Sequence, residues 1–360
     1  MNSAASTLTR IYTDRAIQSS GAPLVGVTSN TVPWELLRAS GYHPVLLSPS
    51  RRQTPLADRY MEDVFSARMK AIFDFLISPD AGMLSAVVIP RTSEQEHKLY
   101  LYLREVVRQG KERAPQAMLY NLLHARSAEA EVYGLERTRE LRARLERLMS
   151  RGINDEDLSR AIDEGNAARQ AIRELLHYRE GPAPKLCGSE ALALIGAWYF
   201  MDRTEYARLA REALEEIQMR APLIGPTILM KGPPLDNPDF CGTIEAHGAI
   251  VVAEDDWWGS RAAGRDIEGT DDPIHAIFQK YYLDAPSPRV FPSAIADEWF
   301  LRKAGEVDGV IFYLPQEDDV IGWDYPRLRA FLDERRIPHL MLRTEEPDRI
   351  GAFIGGLARG

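Results

Sequence analysis

The chain has 360 residues, of which 45% are hydrophobic and 27% are charged, and its formal net charge is −9 at pH 7. This length exceeds one ordinary hydrophobic core and suits two or three folding units of about 100 to 150 residues each. The negative charge argues against nucleic acid as a partner, and no apolar run approaches the roughly 20 residues that cross a bilayer, which excludes a membrane-spanning protein. The polar N-terminus lacks the apolar core of a secretory signal, so we expect a cytoplasmic protein.

Short apolar runs alternate with helical patterns in the first third of the chain. Four of these runs are predicted to be strands: LVGVTS (24–29), HPVLLS (43–48), SAVVIP (85–90) and AMLYNL (117–122). Helical patterns lie between them, such as PWELLRASG, which has proline near its start and glycine at its end. This alternation is typical of a parallel sheet with crossover helices.

The middle of the chain, 127–180, is rich in Glu, Arg, Ala and Leu at helical spacing and has almost no strand signal. Two long amphipathic helices are predicted here, the second opened by an Asn/Asp cap: GLERTRELRARLERLMSRG and DEDLSRAIDEGNAARQAIRELLHY. Acidic and basic residues are interspersed along both, which indicates solvated helix faces rather than a nucleic-acid-binding stripe. Two further predicted helices, in ALALIGAWYFM and RTEYARLAREALEEIQMRA, complete a helical subdomain.

The last third returns to alternating strands and helices. Its predicted strands are PTILMKG (226–232), GAIVVAE (248–254), GVIFYLP (309–315) and PHLMLRT (338–344). A faint internal repeat links the two ends of the chain, because SAVVIPRTSEQ and GVIFYLPQEDD are each followed by a helical pattern and a second strand.

The predicted fold class is therefore α/β, with two similar Rossmann-like or flavodoxin-like parallel-sheet domains joined by a helical subdomain. The predicted boundaries are 1–126 for the N-terminal α/β domain, 127–221 for the helical subdomain and 222–360 for the C-terminal α/β domain. Ligands of such sheets bind at the carboxyl ends of the strands, so we expect the site to lie between the two domains.

Unusual residues follow three of the predicted strands, in VVIPRTSEQ, VVAEDDWWGSR and IFYLPQEDD. Carboxylates in the last two segments could bind a hard cation such as magnesium or calcium: Asp255, Asp256, Glu317, Asp318 and Asp319. Neither group has the spacing of a known metal loop, and acidic residues that cap the following helix are commoner. A metal-dependent enzyme therefore stays an alternative. The paired tryptophans predict a buried position.

Familiar nucleotide-binding and catalytic motifs are missing from the sequence. GAPLVGVTSN lacks the second and third glycines of GxGxxG, and neither GxxxxGKS/T nor GxSxG occurs. His43 and His247 each lie at a turn into a strand, where structural roles are commoner than general-base catalysis. Cys187 and Cys241 are the two cysteines. By themselves they cannot hold an iron–sulfur cluster or a structural zinc, which normally need three or four ligands.

Four segments, taken in order, resemble the signatures of one family: LVGVTSNTVPWELLRASGYHPVLL, VVIPRTSEQEHKLYLYL, ILMKGPPLDNPDFCGTIEAHGAIVVAEDDWWGSR and DGVIFYLPQEDDVIGWDYPRLRAFLDERRIPHLMLRTE. This family comprises the catalytic subunits of 2-hydroxyacyl-CoA dehydratases and benzoyl-CoA reductases. The matching residues in the first and last segments are Val32, Pro33, Glu35, Leu36, Ala39, Gly41, Pro44, Trp323, Asp324, Tyr325, Pro326, Ile337 and Pro338. The resemblance covers 24–50, 85–125 and 226–355.

The resemblance implies a 4Fe–4S cluster held by three cysteines at the same three strand ends. That cluster would pass one electron to a CoA thioester, and the resulting ketyl radical permits loss of a hydroxyl group or reduction of an aromatic ring. In this chain the cysteine positions fall at Ser93, at Trp257 or Trp258, and at Asp318. An indole donates hydrogen bonds only and cannot ligate iron. We therefore expect this chain to bind no cluster and the tryptophans to fill the former cluster pocket.

The resemblance also implies partners. Family members work as pairs of related subunits that a separate ATP-dependent activator protein charges. We therefore expect a homologous cluster-bearing subunit to carry the 4Fe–4S cluster and the radical chemistry, while this chain helps to form the acyl-CoA site. The alternative is a stand-alone acyl-CoA-binding, ligand-binding or regulatory protein that has lost electron transfer.

The predicted substrate-binding residues are Asn30, Glu35, Asp255, Asp256, Ser260 and Arg261, and no metal ligand is predicted. Asn30 stands where catalytic members of the family often have a serine near the cluster. This difference argues against carrying over a substrate-activating hydroxyl to this chain.

Overall fold

The structure is a computed structural model that describes residues 3–15, 17, 21–49, 53–317 and 320–358. Within these ranges, eight strands form two separate four-stranded sheets. The strands of the first sheet are β1 (Leu24–Val27), β2 (His43–Leu46), β3 (Leu84–Pro90) and β4 (Gln116–Tyr120). All four are parallel, in the order β2-β1-β3-β4.

The second sheet repeats this arrangement. Its strands are β5 (Thr227–Lys231), β6 (Ile250–Glu254), β7 (Gly309–Tyr313) and β8 (His339–Leu342). They are also parallel, in the order β6-β5-β7-β8. Counted within each sheet, both orders are 2-1-3-4, the beginning of the flavodoxin-like doubly wound order. The prediction of two similar parallel-sheet domains is confirmed, and each predicted strand coincides with an observed one.

Helices surround and connect the two sheets. In chain order they are α1 (Ala4–Asp14), α2 (Trp34–Ala39), α3 (Ala67–Leu76), α4 (Glu94–Arg108), α5 (Ala128–Met149), α6 (Asp155–Arg179), α7 (Gly188–Gly196), α8 (Arg203–Gln218), α9 (Asp239–Glu245), α10 (Pro273–Asp284), α11 (Ser293–Ala304), α12 (Ile321–Glu334) and α13 (Pro347–Leu357). Short 3-10 helices span Ala57–Arg59, Pro79–Met83 and Ala197–Tyr199.

Side-chain caps begin the two long helices of the middle region. The Ser127 hydroxyl accepts a hydrogen bond from the backbone N–H of Ala130 at the start of α5. The Asn154 side chain accepts one from the N–H of Asp157 at 2.7 Å, which satisfies a free donor at the start of α6. The predicted cap of the second helix is therefore confirmed, and α6 packs along α8.

Helices α1 and α10 have no counterpart among the predicted elements. Helix α1 buries Leu8 and Ile11 and packs against α7 and α8. Helix α10 begins after Asp272, whose carboxylate accepts a hydrogen bond from the N–H of His275, and it packs against α5 and α6. The α10 sequence is rich in aromatic and isoleucine residues, which have weak helix propensity, so its helical form depends on tertiary packing.

The hydrophobic core is continuous across the predicted domain boundaries. One buried cluster joins Leu8 of α1, Val87 of β3 and Val251 of β6. A second joins Val25 of β1 to Phe278 of α10. The division into three units at 126/127 and 221/222 therefore stays a prediction, because apolar packing alone does not separate the units.

A buried ion pair attaches the end of α6 to the second sheet. Arg179 is fully buried, and its Nε donates a hydrogen bond to the carbonyl oxygen of Val251 at 3.0 Å. Its two terminal nitrogens bind the carboxylate of Glu254, with Nη1 to Oε2 at 2.6 Å. Gly188 is required beside this pair, because a Cβ atom there would lie 2.6 Å from Val251 Cβ and 2.9 Å from Arg179 Nη2. The ion pair fixes α6 against β6.

We predict that Arg179→Met lowers the free energy of unfolding by about 3–5 kcal/mol, because it leaves the Glu254 carboxylate buried without its counter-charge. Urea denaturation of the purified variant would measure this change. The double substitution Arg179→Met with Glu254→Leu should recover much of the loss, since both charges are then absent.

The matched control is Arg208→Met, which removes an exposed arginine that pairs with Glu205 and Glu212 on the surface of α8. Its urea midpoint should equal that of the parent chain. A midpoint for Arg179→Met that equals the control would contradict the structural role of the buried pair.

Candidate functional site

The carboxyl ends of the two sheets face each other. The Asn30 side-chain amide, after β1, donates a hydrogen bond to the carbonyl oxygen of Ala262, after β6, at 2.7 Å. Gln95, after β3, donates one to the carbonyl oxygen of Glu317, after β7, at 3.2 Å. The structure therefore brings the strand ends of the two sheets together between the domains, where we expect the site. In doubly wound sheets this edge is where ligands bind.

A buried hydroxyl network fills the strand ends of the first sheet. The hydroxyl groups of Ser29, Thr31 and Thr92 are linked by hydrogen bonds of 2.7 Å. The Thr28 hydroxyl donates a hydrogen bond to Oε1 of Glu96 at 3.1 Å. Burial raises the pKa of Glu96, although hydrogen bonds and Arg68 oppose that shift. The network satisfies its own polar groups and leaves no soft ligand at this edge.

Ser93, the predicted position of the first lost cysteine, begins α4. Its hydroxyl accepts a hydrogen bond from the N–H of Glu96 at 3.2 Å, and its own N–H donates to Oε2 of Glu96 at 3.1 Å. This reciprocal pair is a capping box. The Ser93 side chain therefore has a structural partner, and its assignment to a former cluster pocket stays a prediction.

The acidic residues after β6 have separate partners. Asp255 forms ion pairs with Lys231 and, at 2.9 Å, with Nη1 of Arg261. Burial alone would raise the pKa of Asp255, but these two cations outweigh it and hold the pKa below its ordinary value. Oδ1 of Asp256 accepts hydrogen bonds from the N–H groups of Trp258 and Gly259, both at 2.8 Å. Asp256 thus stabilises the turn that contains the tryptophans.

The pKa of Asp256 is raised to about 7, chiefly by burial and secondly by the nearby charge of Glu254. Ser260 closes the same turn, because its hydroxyl accepts a hydrogen bond from the N–H of Glu254 at 3.1 Å. The side chains of Asp256 and Ser260 are buried, and both accept hydrogen bonds from backbone groups of the same turn. In the structure they shape the loop that carries Arg261, and their role in substrate binding stays a prediction.

Trp257 and Trp258 form an aromatic cluster at the end of β6. Trp258 is fully buried and lies 4.7 Å from Tyr199 and 6.0 Å from Tyr12, measured between ring centroids. The Tyr199 hydroxyl donates a hydrogen bond to the carbonyl oxygen of Trp257 at 2.8 Å. The guanidinium of Arg68 lies 5.3 Å from the Trp257 ring, within cation–π distance. The indoles therefore occupy the strand end as packed core.

The donor atoms at these strand ends do not suit an iron–sulfur cluster. The two cysteines lie elsewhere: Cys187 precedes α7, and Cys241 is buried on α9 beside Met230. Burial raises the pKa of the Cys241 thiol, which disfavours a thiolate. The remaining predicted position, Asp318, lies outside the described residues. Across the part of the chain that the structure describes, His, Cys, Asp and Glu side chains form no group of three able to hold a metal ion.

A narrow interdomain cavity of about 20 Å³, room for about one water molecule, lies between the two sheets and the helices. Three of the predicted substrate-binding residues line it together: Asn30, Glu35 and Arg261. The other charged residues that line the cavity are Arg169, Arg203, Lys280 and Asp284. Asp255, Asp256 and Ser260 do not line the cavity, although Asp255 holds Arg261 through the ion pair described above.

Glu35 is fully buried in the wall of this cavity. It pairs with Nη1 of Arg169 at 2.5 Å and accepts a hydrogen bond from the Tyr281 hydroxyl at 2.8 Å. Burial alone would raise the pKa of Glu35, but the Arg169 charge outweighs it and lowers the pKa. Gly165 is required at this contact, because a Cβ atom there would lie 2.5 Å from Oε1 of Glu35. Glu35 is therefore ionised and held rigidly.

Several cavity residues were missed by reasoning from the sequence. Arg169 lies on α6, Arg203 begins α8, and Lys280, Tyr281 and Asp284 lie on α10. None follows a predicted strand, and α10 itself was not predicted. The available signal was Lys280 and Asp284, spaced one helical turn apart within the aromatic run FQKYYLD, since isolated charges in apolar helices are usually paired.

The fold and the cavity define a two-domain α/β protein of the doubly wound type, whose strand ends face a polar cavity between the domains. The family model described as 2-hydroxyglutaryl-CoA dehydratase, D-component, matches residues 30–354. The chain therefore belongs to this family, and the predicted family is confirmed. No helix among the described residues is both long and apolar enough to span a membrane.

Two characterised relatives match nearly the whole chain. The (R)-phenyllactyl-CoA dehydratase beta subunit of Clostridium sporogenes is 21% identical over 345 residues, which cover 93% of this chain and 89% of that protein. The (R)-2-hydroxyglutaryl-CoA dehydratase, subunit beta, of Acidaminococcus fermentans is 20% identical over 349 residues, which cover 92% and 89% respectively.

We predict that Asp256→Asn flattens the pH dependence of stability between about pH 4 and pH 7. In this window the folded chain keeps a proton on Asp256 that the unfolded chain releases, so the free energy of unfolding falls as the pH rises. The contribution is on the order of 2–4 kcal/mol across the window. The asparagine oxygen can still accept the hydrogen bonds of the turn, so the variant should fold.

Urea midpoints at several pH values would measure this slope. The control Asp271→Asn changes an exposed aspartate and should keep the slope of the parent chain. If Asp256→Asn and the parent chain have equal slopes, Asp256 does not retain its proton in the folded state.

Proposed function

We propose that this chain is a subunit of a 2-hydroxyacyl-CoA dehydratase-type complex that helps to form the acyl-CoA site and binds no 4Fe–4S cluster of its own. The observation that carries this proposal is the family match over residues 30–354. Both relatives are described as beta subunits, which supports a chain that works beside a second kind of subunit. A dehydratase is preferred to a benzoyl-CoA reductase because the family model and both relatives are dehydratase components.

The chemistry of the strand ends supports a cluster in the partner rather than in this chain. Ligation of iron needs soft anionic donors such as thiolates. Here the Ser93 hydroxyl caps the start of α4. The side chains of Trp257 and Trp258 are buried in the hydrophobic core. A homologous partner that keeps its three cysteines would carry the cluster, and an ATP-dependent activator protein would supply its electron.

Polar side chains that line the interdomain cavity supply the proposed contribution to the acyl-CoA site. Arg261 is one-fifth exposed and presents a guanidinium that Asp255 holds in place. The Asn30 amide is oriented by its hydrogen bond to Ala262. Such donors bind carbonyl and phosphate oxygens. Glu35 holds Arg169 in the same lining, so in this proposal the chain binds and orients the ligand and excludes water.

Co-expression with a homologous subunit that retains the three strand-end cysteines would test the proposal. We expect a stable heteromeric complex after anaerobic purification, with about four irons for each pair of chains and negligible iron in this chain alone after reconstitution. The assembled complex, with its activator and ATP, should dehydrate a 2-hydroxyacyl-CoA.

Two results would contradict the proposal. A stoichiometric cluster in this chain alone would place the electron chemistry here. A chain that binds acyl-CoA tightly, yet neither co-purifies with such a homologue nor changes its activity, would favour the stand-alone ligand-binding protein that has lost electron transfer.

We predict that Arg261→Met weakens acyl-CoA binding by the assembled complex by roughly tenfold or more, because a charge-assisted hydrogen bond is lost. Asp255 keeps its ion pair with Lys231, so the variant should fold. Calorimetric titration with a 2-hydroxyacyl-CoA would give the affinity. The control Arg302→Met removes an exposed arginine paired with Glu306 and should bind like the parent complex. If the complexes with Arg261→Met and with this control bind acyl-CoA with equal affinity, Arg261 does not contact the ligand.

A further inference from the structure

Phe291 and Trp323 are large apolar side chains that face solvent. Phe291 exposes 67% of its surface, and Trp323 exposes 85%. Leu123 and Ile295 are also exposed. None of these four side chains lines the interdomain cavity. Single exposed apolar side chains are ordinary on a protein surface, whereas a contiguous group of them marks an interaction surface.

Backbone contacts bring three of these side chains together. Phe291 forms a parallel bridge with Ala125, and its N–H donates a hydrogen bond to the carbonyl oxygen of His124 at 3.1 Å. Leu123 directly precedes His124, so Leu123 and Phe291 are neighbours. Ile295 follows Phe291 on the first turn of α11. The three side chains therefore form one group, to which both halves of the chain contribute.

Trp323 extends this group from the neighbouring helix. It lies on the first turn of α12, as Ile295 lies on the first turn of α11. The two helices share a buried apolar cluster, and an ion pair between Asp297 and Arg327 joins them close to these first turns. We call the resulting surface the apolar patch, and its members are Leu123, Phe291, Ile295 and Trp323.

The apolar patch lies at the carboxyl ends of the strands. Leu123 follows the end of β4 by three residues. The segment that leads to Phe291 runs along the same edge, because the Ser287 hydroxyl donates a hydrogen bond to the carbonyl oxygen of Thr92, after β3, at 2.7 Å. This is the edge at which doubly wound sheets bind ligands.

One aromatic residue connects the apolar patch to the proposed ligand-binding residues. Trp299 lies one helical turn after Ile295, and residues at this spacing share a helix face. The guanidinium of Arg261 lies 5.7 Å from the centroid of the Trp299 ring, within cation–π distance. A partner that covers the apolar patch would therefore lie beside Arg261.

The proposed function, on which this inference rests, selects the occupant of the apolar patch. In that function the electron comes from a cluster held by a homologous subunit, and an electron donor has to lie close to the bound thioester. The subunit must therefore approach the edge of the molecule where Arg261 lies. Both relatives are described as beta subunits, which supports a second kind of subunit as the partner.

A second exposed apolar segment lies in the wrong place for this partner. It contains Met219, Leu223 and Ile224, of which Ile224 exposes 97% of its surface. The segment directly precedes β5, so it lies at the amino ends of the strands of the second sheet. A subunit docked there would be at the end of the sheet opposite to Arg261.

We propose that the apolar patch is the docking surface for the homologous cluster-bearing subunit. In the complex the partner buries Phe291 and Trp323, and its cluster lies on the Arg261 side of this chain. Aromatic side chains at the centre of an interface carry much of its binding free energy. Arg289, which pairs with Glu94 two residues before Phe291, belongs to the charged rim that such an interface has.

The test is anaerobic assembly of the purified full chain with the homologous three-cysteine subunit, measured by biolayer interferometry. Phe291→Asp and Trp323→Asp should each raise the dissociation constant roughly 30-fold or more, because each removes a buried ring and places a charge in the interface. Both variants should keep the urea midpoint of the parent chain, since both side chains are exposed. Weaker assembly then cannot come from unfolding.

Two further variants serve as controls. Phe291→Tyr keeps the aromatic ring and should change the dissociation constant less than about threefold. Ile224→Asp introduces the same charge at an exposed apolar residue on the opposite end of the second sheet, and it should assemble like the parent chain.

The possible failures can be told apart. A parent chain that forms no complex with the homologous subunit would overturn the proposed function and the docking surface together. Equal dissociation constants for the parent chain, Phe291→Asp and Trp323→Asp would overturn the docking surface alone. Assembly lost only in Ile224→Asp would place the partner at the amino ends of the strands. If Phe291→Asp abolishes self-association of the chain without changing its affinity for the homologous subunit, a second copy of this chain covers the patch instead.

Discussion

Two buried ion pairs on one helix hold this protein together. Helix α6 carries Arg169 and Arg179, about 15 Å apart along the helix axis. Arg169 binds Glu35 on α2, which packs on β2 of the first sheet, and Arg179 binds Glu254 at the end of β6 in the second sheet. Each pair is almost free of solvent, so breaking either would leave a charge buried without a partner. The helix therefore sets the relative position of the two sheets and, with it, the width of the cavity between them.

Different kinds of residue occupy the carboxyl ends of the strands in the two sheets. In the first, hydroxyl groups and Glu96 satisfy one another in a buried network. In the second, Trp257 and Trp258 pack as core while Asp255 is neutralised by two cations. With both edges filled, the remaining space lies to the side, where α6, α8 and α10 contribute charged residues. This arrangement suits the proposed role of the chain, which is to bind and orient a ligand.

Prediction from the sequence succeeded for features that depend on the pattern of nearby residues, such as the strands. Alternating apolar runs and helical periods depend on neighbours in the chain, and every predicted strand was found. Loop residues directly after strands were also good candidates, because parallel strands bring their carboxyl ends to one edge. Asn30 and Arg261 line one cavity for that reason, and Glu35 joins them from the first turn of α2. Asp256 and Ser260 share the same loop but point into its structure, a difference that no spacing in the sequence conveys.

By itself, the sequence determined the fold class, the repeat of two sheets, the family and the absence of cysteine from the three strand ends. These depend on residue type and on periodicity along the chain. Only the tertiary structure decided that α10 is a helix packed against the first half of the molecule, and that Glu35 lies buried against Arg169. The physical reason is that desolvation and pairing of charge depend on which distant residues share a small volume, and the chain brings those residues together only when it folds.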